Sequence, residues 1–174
     1  MSDRPAFEAR VLPHLDAAYN LARWLLRNDQ AAEDAVQEAT LRALRYLGSL
    51  REGDARPWLL GIVRNTCFTM LEHQRKEADR VDFDEADYEA AMGAAEGTEP
   101  EARWQARSQR AQIDAAIQAL APALREVIVL RELEDLDYAQ IASITAVPIG
   151  TVMSRLSRAR AKLREALAHT RLSE

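Results

Sequence analysis

Six cations crowd the last stretch of this chain. Between Ile149 and Arg171 stand Arg155, Arg158, Arg160, Lys162, Arg164 and Arg171, against one acid, Glu165. They share the stretch with an apolar stripe, Ile149, Val152, Leu156, Ala159, Leu163 and Leu167, whose spacings of three and four are those of a helix with one buried side. Off that stripe lie Thr151, Ser154, Arg155, Ser157, Arg158 and Lys162. Arginine and lysine beside short hydroxyl side chains can bond phosphates and base edges without filling the major groove. An ordinary solvated face would mix its signs. Enzymatic chemistry has little to build on. There is no Gly-rich phosphate loop and no H-E-x-x-H pair, and His14, His73 and His169 are far apart in the sequence. The single cysteine, Cys67, allows no internal disulfide and no Cys-rich metal site, and its apolar surroundings suit a small core residue. No metal and no cofactor is expected.

The basic helix needs a partner to set it in a groove. From Tyr138 a shorter helix is predicted, with Ile141 and Ala142 inward and Ala142 small enough for a close crossing. The turn falls at Thr145 to Val147, and Pro148 suits the first position of a new helix, where its missing N–H costs nothing. Helix, tight turn and basic helix form the pattern of a helix-turn-helix DNA reader. Ala146 occupies the turn position where glycine is common, so modest strain is expected if its φ is positive.

The remaining chain also reads as helices. In 174 residues there are 6 Gly and 6 Pro, the hydrophobic fraction is 48%, and no alternating strand pattern occurs. Residues 5 to 27 carry apolar side chains at helical spacing, divided by Pro13. Asp29 can cap a second helix, 31 to 47, with Ala35, Val36, Ala39, Leu41 or Ala43, Leu44 and Leu47 inward. Its outer face holds Glu33, Asp34, Gln37, Glu38 and Arg42. After a polar loop, 48 to 56, a third helix is predicted over 57–76, with Trp58, Leu59, Ile62, Val63, Thr66, Cys67, Met70 and Leu71 inward. Arg64, Asn65, Arg75 and Lys76 point outward. Residues 77 to 103 hold ten acids and two bases, net -8, so the rest of a chain of net charge -5 carries +3. That segment is too poor in large apolar residues to offset its ordering entropy and is expected to be a flexible acidic linker, with short helical pieces possible around 88–92. A helix resumes near Glu101 with Trp104, Ile113, Ala116, Ile117 and Leu120 inward, and Pro122 opens the next. The expected fold is all-α, with two small helical domains, 1–77 and 104–174, joined by the linker 78–103. No apolar run reaches membrane-spanning length, so a cytoplasmic protein without membrane insertion is expected.

Taken together these stretches resemble bacterial extracytoplasmic-function (ECF) sigma factors of the sigma-E type, over nearly the whole chain. Asp29 to Leu44, around the A-E-D-x-x-Q-E run of Ala32 to Glu38, resembles the family's core-binding helix. Arg56 to Lys76, with its W-L-x-x-I-V-R-N segment, resembles the helix that opens the promoter's minus-10 element. Ala121 to Leu163 resembles region four, ending in the G-T-V-x-S-R-L-x-R-A-R recognition helix of Gly150 to Arg160.

The resemblance implies a transcription initiation factor with no enzymatic activity. Glu33, Asp34, Gln37 and Glu38, with Arg42 close by, would meet the clamp of the largest subunit of core RNA polymerase, and region four the flap of the second subunit. The loop 48–55 would hold a flipped base of the non-template strand. Arg56, Trp58, Arg64, Asn65, Arg75 and Lys76 would hold the backbone and single strand at the minus-10 element, although Trp58 serves equally well as core. Thr151, Met153, Ser154, Ser157, Arg158 and Arg160 match positions facing the minus-35 element, and Arg155 and Lys162 would serve phosphates or intramolecular pairs. The acidic linker would imitate nucleic acid in a basic channel. An anti-sigma partner gripping both domains is also implied. Two departures bear on DNA contacts: Met153 stands where the family has Lys or Arg, and Thr69 where it has Asp or Asn. The competing reading is a stand-alone helix-turn-helix regulator, which would dimerise on a palindromic site but leaves the acidic run and the W-L-x-x-I-V-R-N helix unexplained.

Overall fold

The structure is a computed structural model, and it describes residues 3–80 and 101–172. Among them every regular element is helical. Pro13 divides the N-terminal helix as expected: α1 (Arg4–Arg10) passes through a 3-10 turn (Leu12–His14) into α2 (Leu15–Leu26). The chain leaves α2 through Arg27, left-handed at φ 60. The cap of α3 (Asp29–Arg45) is Asn28 rather than Asp29. The Asn28 side chain accepts from the Ala31 N–H at 2.8 Å, while Asp29, already inside the helix, pairs with Arg23 at 2.9 Å. Next comes α4 (Ala55–Arg80), opened by Asp54, whose carboxylate accepts from the Arg56 N–H at 3.0 Å.

α2, α3 and α4 pack against one another, with Phe7 and Val11 closing one end. The buried face of α3 is a row of alanines, Ala32, Ala35, Ala39 and Ala43, with no large side chain among them. Small residues let helices approach closely, and the bulk filling the space comes from Leu21, Leu25, Leu59, Leu60 and Val63 on the neighbouring helices. Of the residues expected inward on this helix, Leu41 is 67% exposed and Leu44 is also exposed; Ala43 takes the buried place.

The second half contains α5 (Glu101–Gln118), α6 (Pro122–Ile128), a π-helical turn (Val129–Leu133), α7 (Tyr138–Thr145) and α8 (Ile149–Leu172). Pro122 is the first residue of α6, as predicted. Ala116, Ile117 and Leu120 are buried, but Ile113 is exposed, because α5 meets α8 and α6 only toward its C-terminal end. The π-helical turn admits an extra residue per turn, and Asp135 at φ 52 reverses the chain behind it. Arg131 holds this reversal, donating to the Leu136 carbonyl at 2.9 Å and lying 5.0 Å from the centre of the Tyr138 ring. Most of the expected acidic linker, including the helical pieces around 88–92, lies outside the described residues, as does the side chain of Trp104.

The halves are not separate bodies in this structure. α4 packs against α7 and α2 against α6, so one hydrophobic cluster runs from Phe7 to Ala159.

Candidate nucleic-acid interface

α7 is fixed at both ends. Its N-terminus carries a capping box, in which Asp137 accepts from the Gln140 N–H and the Gln140 side chain accepts from the Asp137 N–H. Its C-terminus stops at Ala146, left-handed at φ 55, the strained turn expected there. The Pro148 carbonyl accepts from the N–H groups of Thr151 and Val152, which places Pro148 at the cap and Ile149 as the first helical residue. Ile149 is consequently exposed instead of inward. The rest of the predicted stripe is seated, with Val152, Leu156 and Ala159 buried and Leu163 and Leu167 half-buried.

This seating turns Met153, Ser154, Ser157, Arg158 and Lys162 to solvent, with Thr151, Arg155 and Arg160 half-exposed beside them. Ser154 donates to the Thr151 carbonyl at 3.1 Å. Arg160 is held by Glu132 at 2.8 Å, and hydrogen bonds to Glu132 and Tyr138 push its guanidinium up from the ordinary value. Arg155 lies close enough to Glu126 for its charge to act on that carboxyl.

α3 presents a second surface. Glu33, Asp34, Gln37 and Glu38 are exposed, and Leu41 and Leu44 continue the same face. Arg42 pairs with Glu38 at 2.6 Å across one helical turn.

The third surface, at the start of α4, is largely covered. Arg56 donates to the Glu134 carboxylate at 2.7 Å and to the Glu134 carbonyl at 2.6 Å, and Asn20 donates to the other carboxylate oxygen at 2.9 Å. Arg64 grips Glu126 with two N–H groups at 2.8 and 3.2 Å and lies 4.1 Å from the centre of the Phe68 ring. Arg64 was expected to point outward; it turns onto α6 because Glu126 is buried and carboxylate and guanidinium satisfy each other there. Burial pushes the Glu126 carboxyl up, opposed by the hydrogen bond and charge of Arg64 and by the charge of Arg155. Trp58 is half-buried against the core, while Asn65, Thr69, Arg75 and Lys76 are exposed. In the loop before α4, Arg10 donates to the carbonyls of Arg51 and Gly53 at 3.0 and 3.3 Å and so shapes the segment expected to hold a base.

Sequence reasoning overlooked Asn20, Arg125, Glu126 and Glu134. Arg125 is buried and donates to the carbonyls of Trp24, Leu25, Gln118 and Leu120, binding the C-terminal end of α2 to α6. Burial, with Arg27 nearby, pushes its guanidinium down from the ordinary value. A signal was available: Arg125 and Glu126 sit directly against the apolar run Val127 to Leu130, where charges face inward only if paired.

Two family models match the chain, sigma-70 region 2 over residues 11–77 and sigma-70 region 4 over residues 110–163. The ECF RNA polymerase sigma-E factor of Escherichia coli K12 is 35% identical over 164 residues, covering 91% of this chain and 84% of that protein. The chain belongs to the ECF sigma factors. The ECF RNA polymerase sigma factor SigE of Mycolicibacterium smegmatis is 33% identical over 167 residues, and the match takes in 94% of this sigma factor but 62% of that longer relative. Among solved structures, the sigma factor RpoE of Bartonella quintana, in complex with the anti-sigma factor NepR, matches with a TM-score of 0.71 and 26% identity, over 94% of this chain and 97% of that one. In this sigma factor the latched arginines Arg56 and Arg64 fall within the region 2 match, and their partners Glu126 and Glu134 within the region 4 match. Among the described residues no helix is long and apolar enough to cross a membrane.

Proposed function

We propose that this sigma factor binds core RNA polymerase and directs it to promoters by recognising minus-10 and minus-35 elements. The observation that carries the reading is the outer face of α3, where Glu33, Asp34, Gln37 and Glu38 flank exposed Leu41 and Leu44 above a buried row of alanines. An acidic rim around apolar anchors suits a basic helical partner, and burying the leucines there would supply affinity that a solvated face lacks. The clamp of the largest polymerase subunit is that partner, with the flap of the second subunit meeting region four. Thr151, Met153, Ser154, Ser157 and Arg158 face the minus-35 element, with Arg155, Arg160 and Lys162 toward phosphates. Arg56, Trp58, Arg64, Asn65, Arg75 and Lys76 hold the minus-10 strand. The protein works in the cytoplasm beside polymerase, performs no catalysis of its own, and is held in reserve by an anti-sigma partner.

Co-purification with bacterial core polymerase tests this, beside a variant carrying Asp34→Ala and Gln37→Ala. Capture of the wild type alone supports the reading, and run-off transcription on genomic DNA then finds the promoters. Capture of neither, with duplex DNA still shifted by the protein alone, replaces it with a stand-alone regulator.

A further inference from the structure

The three surfaces differ in availability. α3 and most of the outer side of α8 lie open, whereas Arg56 and Arg64 of α4 are taken. The Arg56 side chain is 28% exposed and its partner Glu134 7%; for Arg64 and Glu126 the figures are 20% and 0%. A guanidinium fork fits a carboxylate and a phosphate in the same way, and it cannot hold both with the same N–H groups. Glu126 and Glu134 therefore occupy the positions that strand phosphates would take on these two arginines. Asn20 completes the Glu134 site, and Arg125 ties the same seam to α2 through the carbonyls of Trp24 and Leu25.

We propose that region four latches region two in the free protein, with Glu134 and Glu126 standing in for DNA on Arg56 and Arg64, while the α3 face stays exposed for polymerase. The latch rests on the reading of Arg56 and Arg64 as strand contacts. It imposes an order. Polymerase can dock on α3 of the closed chain, but single-stranded DNA gains the two arginines only after α6 and the Glu134 turn lift from α4. Moving region four away exposes two carboxylates to water and returns two forks to the DNA surface in one step. A closed form of this kind suppresses promoter binding by sigma alone without blocking recruitment to the enzyme.

The test uses the full chain without polymerase. Small-angle scattering of the wild type should give a radius of gyration near the about 16 Å of a compact chain of this length, with a small excess for the acidic segment. The double variant Glu126→Gln with Glu134→Gln should expand. It should also bind a labelled, mixed-sequence single-stranded DNA 15-mer about tenfold more tightly, if the closed form holds about nine-tenths of the wild type. A control neutralising two exposed acids outside the seam, Asp135→Asn with Glu165→Gln, should change neither readout. An already extended wild type overturns the proposal, and so does a double variant that stays compact with unchanged DNA affinity. If the double variant loses its helical circular dichroism, Glu134→Gln alone carries the same two readouts, since it leaves Glu126 and Arg64 in place. Capture by core polymerase is followed in parallel. Its failure in the wild type defeats the functional reading, while scattering still reports on the latch.

Discussion

α3 and α4 are neighbours in one bundle, and both bury one face in the same core, yet their outer faces meet different surroundings. On α3 the charged residues stay exposed, with a local pair between Glu38 and Arg42 and two leucines in water beside them. On α4 the outer face is divided. Arg56 and Arg64 are engaged by residues 78 and 62 positions away, whereas Arg75 and Lys76, beyond the reach of region four, remain exposed. An outward charge on a helix is thus a property of what stands opposite, and the comparison suggests which substitutions will be felt by the fold and which only by a partner.

The largest effect should come from Arg64→Ala. It leaves Glu126 buried without its partner and should cost about 3–5 kcal/mol of stability, whereas Arg75→Ala should stay within about 0.5 kcal/mol. Urea denaturation of both variants checks this, and equal losses would break the distinction between the two parts of α4. On the inner face of the same helix, burial pushes the Cys67 thiol from its ordinary 9.0 up to about 12. The folded state therefore favours the protonated thiol. That stability is complete below pH 9.0 and is lost as pH rises from there toward 12, by about 1.4 kcal/mol per unit. Denaturation at pH 8 and 10.5, compared with Cys67→Ala to remove the contributions of other groups, isolates the slope.

Two further substitutions separate partner effects from fold effects. Arg158→Ala should leave the melting temperature unchanged and cost about 1–3 kcal/mol at the upstream element if the side chain reads a base, as measured by holoenzyme binding to wild-type and altered minus-35 sequences. An equal loss on every sequence would mark a phosphate contact. Leu41→Ala should weaken capture by core polymerase by about 1–2 kcal/mol at nearly constant stability; a large fall in stability would show that this leucine belongs to the bundle. The smallest effect should be Ala146→Gly. Relief of the left-handed turn should add about 0.5–1 kcal/mol, readable as a small rise in melting temperature.

Local features were the legible ones. The break at Pro13, the start of α6 at Pro122 and the turn at Ala146 follow from backbone chemistry that acts within a few residues. So does the seating of Val152, Leu156 and Ala159. Periodicity was less reliable where a helix is covered along only part of its length. Ile113 and Ile149 fit an apolar stripe and are nonetheless exposed, since burial needs a neighbour and not only a spacing. In α3 the alanines did the burying that hydrophobicity alone would assign to Leu41 and Leu44.

By itself, then, the amino-acid sequence determined an all-helical chain, the helix-turn-helix, and a basic and an acidic helix face, because i, i+3 and i+4 spacing and capping are local rules. Only the tertiary structure decided that Arg56 meets Glu134, that Arg64 meets Glu126, and that Arg125 reaches the end of α2. Those choices join residues 62 to 101 positions apart. No local spacing encodes them: a buried charge takes whichever opposite charge or carbonyl the packing of whole helices brings within hydrogen-bonding distance.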